Sequence, residues 1–166
     1  MVSVKGKTGN NVYPPSPIRD LILTDNMYKE NFNLSFTSPG EDLNSGIISE
    51  YLIFYSENRT VLGELSISNP SNVTTITEEM LDCNNCNLDP LPGLSKVMLK
   101  IKSIYFEKDV PYYFRVLAID SGSKTSYSNI VGYVANPTIE VYWYFYFDYI
   151  NVDIVVTFFR RILEFS

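Results

Sequence analysis

Tyr112-Tyr113-Phe114-Arg115-Val116-Leu117-Ala118 decides the fold. Tyr112, Phe114, Val116 and Ala118 alternate with Tyr113, Arg115 and Leu117, and a period of two marks a strand with one buried face. A turn at Asp120–Ser123 follows, and Ser128 to Val134 supplies the last strand. Upstream the same rhythm recurs. Val97, Leu99 and Ile101 alternate with Met98, Lys100 and Lys102; Tyr51, Ile53 and Tyr55 repeat it; Phe32, Leu34 and Phe36 alternate with Asn31, Asn33, Ser35 and Thr37. Ile18 to Thr24 and a weaker strand near Leu62 to Ser68 bring the count to about seven. No convincing helix is expected, only a single turn at Thr77 to Leu81. Short antiparallel strands separated by turn-rich stretches such as Ser38 to Ser49 predict an all-β, immunoglobulin-like sandwich.

Composition narrows the chemistry. The chain has 166 residues, a formal charge of −6, two cysteines and no histidine. A Ser-His-Asp triad, a Cys-His pair, an HExxH zinc site and imidazole acid–base catalysis are therefore all excluded. The acidic balance argues against nucleic acid, whose backbone is bound by Lys and Arg. Length predicts one domain with modest extras. Residues 1–16, punctuated by Gly6, Gly9, Pro14 and Pro15, read as linker, 17–136 as the domain, and 137–166 as a tail.

The tail is a separate text. Ten of the chain's 24 aromatics fall between Thr138 and Ser166, with an unbroken run at Val141–Phe147 and Arg160-Arg161 near the end. Ten strongly apolar residues from Val141 to Phe159 favour insertion by roughly 3 to 6 kcal/mol, and Asp148 and Asp153 each cost about 2.5–3.5. The sum is near zero or unfavourable. Three readings stay open: a membrane span, interfacial or strand-like packing, and a non-native extension. No apolar run near Met1 forms a secretory signal. The sequons at Asn33, Asn58 and Asn72 nonetheless favour a secretory origin, with the start cut from something longer.

The spacing Tyr112-x-Phe114-x-Val116-x-Ala118 with Ser126-x-Ser128-Asn129 resembles the last two strands of fibronectin type III domains. Val12-Tyr13-Pro14-Pro15, Ile18-x-Asp20-Leu21, Ser38-Pro39-Gly40-Glu41-Asp42, Gly46, Ser49-x-Tyr51-x-Ile53 and Ala118-Ile119-Asp120 extend the likeness over roughly residues 12–136. They are similar to the C-terminal fibronectin type III domain of calcium-activated chloride channel regulators (CLCA-like proteins). Phe36 departs from the family, which usually carries Trp there. The resemblance implies a non-catalytic extracellular or cell-surface module of a longer secreted or tethered protein, with a metalloprotease-like and a von Willebrand type A domain upstream. It implies no cofactor, protein partners or sister domains as contacts, and only an indirect part in chloride transport. The rival expectation is a generic adhesion or receptor ectodomain of the same fold, although neither a WSxWS motif nor an RGD loop occurs.

Four sets of residues are candidate sites. Glu41, Asp42 and Asn44 gather calcium-type oxygens, but match only a corner of an EF-hand; a self-bonded Asx-turn loop is the competing account. Cys83 and Cys86 fit a small disulfide, a redox pair or half a zinc site; zinc lacks further Cys or His ligands. Adjacent carboxylates such as Glu78/Glu79 lack the cleft geometry of glycoside hydrolysis. Leu52, Phe54 and Leu117 share the outward parity of neighbouring strands. They form either an apolar partner surface or a stripe covered by the long connection or the tail.

Overall fold

The computed structural model describes residues 13–25, 30–65, 73–83 and 87–135, with the backbone of two short strands at 144–145 and 154–155. In the sandwich the strands are β1 (Ile22–Asp25), β2 (Asn31–Thr37), β3 (Glu50–Ser56), β4 (Thr74–Thr75), β5 (Lys96–Lys102), β6 (Pro111–Ile119), β7 (Thr125–Tyr127) and β8 (Val131–Val134). One sheet has the order β1-β2-β5; the other runs β4-β3-β6, with β7 and β8 both on the far edge of β6. Every pairing among them is antiparallel. Taking β7 and β8 as one interrupted strand, this is the seven-strand, two-sheet fibronectin type III topology.

The alternation places the core. Phe32, Leu34 and Phe36 of β2 face Ile53, Phe114, Val116 and Ala118 across the sandwich, all fully buried. Phe36 packs edge-on against Tyr51 with centroids 5.3 Å apart. At the other end Phe32 meets Phe106, Phe114 and Tyr133 at 5.5, 5.4 and 4.1 Å. Burying each such ring contributes roughly 1.5–3 kcal/mol, which makes this cluster the main source of cohesion between the sheets.

Polar ties fix the corners. The Tyr112 hydroxyl accepts the Glu107 backbone N–H at 3.2 Å, five residues upstream at the entrance to β6. That is the tyrosine corner of immunoglobulin-like folds. The Tyr133 hydroxyl donates to Ser103 Oγ at 2.8 Å, linking β8 to the turn after β5. Between β7 and β8 the ladder breaks, and Ser128 repairs it: its Oγ accepts from Val116 N at 2.8 Å. Asn129 then acts as a surrogate strand, accepting Leu21 N at 3.0 Å and donating to Leu21 O at 2.9 Å.

Several expectations shift. The first strand begins at Ile22 rather than Ile18, because the backbone at Ile18 and Leu21 is bonded to Asn129 instead of to a ladder. Residues 13–16 of the expected linker are docked: Pro15 bridges Leu43, and Ser16 N donates to Leu43 O at 3.0 Å. The weak strand expected near Leu62–Ser68 does not form over Leu62–Leu65. Asn58 accepts Thr60 N at 2.9 Å and starts a one-turn helix, α1 (Arg59–Gly63), which buries Leu62. Residues 66–70 lie outside the described residues. The edge partner of β3 is β4 instead. The turn expected at Thr77–Leu81 is present as a 3-10 turn, Glu78–Met80.

Beyond the sandwich, β9 (Tyr144–Phe145) pairs antiparallel with β10 (Ile154–Val155). The other tail residues lie outside the described residues. No helix among the described residues is long and apolar enough to cross a membrane.

Candidate functional site

The stripe Leu52–Phe54–Leu117 has the expected parity: Leu52 pairs with Leu117 across β3 and β6, on the face away from the main core. It is not open. Phe54 is 8% exposed and Leu117 2%, and they form a second small core with Leu62 and Leu65. Of the two readings, the burial of Phe54 and Leu117 fits the covered stripe, roofed by the connection that carries α1, with Leu52 half-buried at its side. Transfer of two leucines onto this stripe from water is worth several kcal/mol at about 25 cal/mol per Å² of apolar area.

Arg115 holds the roof down. It occupies the same outward face of β6 and donates from Nη1 to Leu62 O and Gly63 O, and from Nε to Ser128 O at 3.3 Å. Its guanidinium lies 4.4 Å from the Tyr127 ring centroid. Burial pulls the Arg115 pKa below its ordinary value, and nearby Tyr127 pushes the other way. The helix turn offers carbonyls to a cation, which a planar fork can satisfy several at once. The sequence signal was present but ambiguous: a lone Arg at outward parity reads as solvated.

At the pole where the chain enters, the loop after β2 is tightly built. Asp42 and Ser45 exchange backbone bonds at 3.1 and 3.0 Å. A Cβ on Gly40 would fall 2.2 Å from Ser45 N, and one on Gly93 2.1 Å from Asn44 O, so both positions need glycine. Of the calcium candidates, Asp42 Oδ1 accepts Tyr13 N at 3.0 Å and Glu41 Oε1 accepts the Ser121 hydroxyl, while Asn44 is exposed on the same loop. Among the described residues, no three His, Cys, Asp or Glu side chains converge as a metal site. The loop closes on itself through its backbone, while the Asp42 and Glu41 side chains tie it to Tyr13 and Ser121. In the facing turn Asp120 Oδ1 accepts Lys124 N at 2.7 Å, which closes the Asp120–Ser123 reversal.

Cys83 is disulfide-bonded. The sequence's other cysteine, Cys86, lies outside the described residues. Of the sequons, Asn33 sits half-buried on the outer face of β2, in register with Thr24 and Lys100. Asn58 is exposed at the head of α1, and Asn72 lies outside the described residues. Beside Asn58 is a cleft of about 390 Å³, floored by Tyr55, Tyr112 and Val61 and edged by Glu57 and Thr74. No sequence signal pointed to it, because its walls come from β3, β4, α1 and β6.

The fold class is thus a fibronectin type III sandwich, defined by strand order and register. No family model matches the chain, and no curated protein does. Among solved structures it is similar to the purple acid phosphatase PPD1 isolated from yellow lupin (Lupinus luteus) seeds, at 12% identity and a TM-score of 0.40. That match covers 76% of this chain, which spans only 20% of the phosphatase's length. A likeness at that level bears on neither family nor activity.

Proposed function

We propose that this chain is a non-catalytic extracellular fibronectin type III module, resembling the terminal part of a calcium-activated chloride channel regulator. Its task is contact or spacing between protein domains, and any influence on chloride transport is indirect. The observation that carries the reading is the fibronectin type III topology, which also holds Cys83 in a disulfide. Disulfides persist in secretory and extracellular compartments and are rare in reducing ones. The motifs around Pro14, Ser38–Asp42 and Ala118–Asp120 carry the resemblance, and each takes part in a loop contact at one pole of the sandwich. The absence of histidine from the sequence removes imidazole-based catalysis.

Surface labelling tests this. A membrane-impermeant amine reagent applied to intact source cells, or to their medium, is expected to label the native chain. Labelling only after permeabilisation would contradict an extracellular module.

A further inference from the structure

We infer that Asn58 is an N-glycan acceptor whose first N-acetylglucosamine docks in the adjoining Tyr55–Tyr112 cleft, so that the sugar acts as part of the fold. This rests on the extracellular reading above and adds the ligand of one site to it. Three observations converge. Asn58-Arg59-Thr60 is a sequon, and both Asn58 and Thr60 are exposed. The asparagine is held in place: its Oδ1 accepts Thr60 N at 2.9 Å, and its backbone N–H donates to Ser56 Oγ at 3.1 Å. Asn58 itself lines the cleft, whose 390 Å³ lies at the small end of the roughly 300–1,000 Å³ of ligand pockets.

The cleft chemistry suits a pyranose. Half-buried Tyr55 and Val61 offer apolar surface to the sugar's C–H face, with buried Tyr112 behind them, while Glu57 and Thr74 offer partners to hydroxyls and the acetamido group. Tyr55 is fixed for this by its own edge contacts to Phe106 and Tyr112 at 5.3 and 6.2 Å. Asn33 differs: it lies half-buried within a central strand and does not line this cleft. In the transfer, Asn58 Nδ2 attacks C1 of the N-acetylglucosamine of a lipid-linked diphosphate oligosaccharide. The N–C1 bond forms, the C1–O bond breaks, the lipid diphosphate departs and the amide loses one proton to base.

The test uses the full chain, sent through a eukaryotic secretory route by an added leader, so site occupancy is measured independently of where the parent normally resides. Peptide mass spectrometry is expected to find hexosamine on Asn58. After trimming to one N-acetylglucosamine, the melting temperature should exceed that of Thr60→Ala by on the order of 3 °C. Thr60→Ala abolishes the sequon but keeps the backbone N–H that Asn58 caps, so it isolates the sugar from the cap. In Tyr55→Leu, the glycosylated and Thr60→Ala forms should melt together. Nuclear Overhauser contacts between the sugar and Tyr55 supply a second readout should Tyr55→Leu fold poorly. An unmodified Asn58, or an occupied one with no sugar–Tyr55 contacts and an increment that survives Tyr55→Leu, would overturn the docking. Failure of surface labelling in source cells, with docking intact, would strike the extracellular reading alone.

Discussion

Tyr112 is the residue at which sequence rhythm becomes tertiary structure. Its ring belongs to the core face of β6, while its hydroxyl accepts the Glu107 N–H and pins the approach from β5. Tyr112→Phe keeps the packing and strands that N–H, so urea unfolding should show a loss of about 1 kcal/mol at unchanged slope. Asp20 gives a second residue-scale prediction. Burial raises its pKa, but the Thr37 backbone N–H, the Thr37 hydroxyl and Lys96 outweigh this and hold the carboxyl below its ordinary value. A depressed pKa stabilises the fold above the unfolded-state value of about 3.9, and that share is lost as pH falls through the folded pKa. Asp82 is shifted the same way, chiefly by its bond with Lys100. Both are surface groups, so the effect is modest. Urea midpoints measured between pH 6 and 3 should fall with acid, and Asp20→Asn should flatten that limb; an equal slope would deny Asp20 its role.

At the scale of elements, the connection between β3 and β4 gives the outer sheet face its character. Leu62→Ala and Leu117→Ala should each destabilise by about 2–4 kcal/mol, because both side chains are fully or nearly fully buried. The double mutant should fall short of the sum by about 0.5–1.5 kcal/mol if the two share one small core. Arg115→Ala should cost about 2 kcal/mol by freeing the carbonyls of Leu62 and Gly63. Bis-ANS fluorescence should rise in that variant as the roof lifts from Phe54, and unchanged fluorescence would mean another contact holds it. The strands themselves were legible, since period-two alternation at Phe32–Phe36 or Tyr112–Ala118 admits one burial pattern only. The roof was not. Leu62 and Leu65, three apart, share a face of a helical turn, but Leu65 and Ile67 alternate as in a strand, and the Asn58 cap that decides between them is a local bond without periodicity. The split of the last strand was equally hidden: Ser128 and Asn129 were visible as a motif, but their partners, Val116 and Leu21, lie 12 and 108 residues away.

At the scale of the molecule, the described residues within 13–135 form a sandwich with its own buried core. The two hydrophobic clusters close within residues 18–135. Both poles are closed as well, one by the docked residues 13–16 and the loop at Gly40–Gly46, the other by Lys108 bridging Ala135. The proposed role in contact or spacing requires a unit that folds whatever is attached at either end. The direct measurement is urea unfolding of residues 13–135 beside the full chain, followed by tryptophan-independent far-UV dichroism. A self-sufficient module predicts one cooperative transition for the shortened chain, with its free energy within about 0.5 kcal/mol of the full chain's. A shortened chain that unfolds without cooperativity, or several kcal/mol earlier, would contradict it.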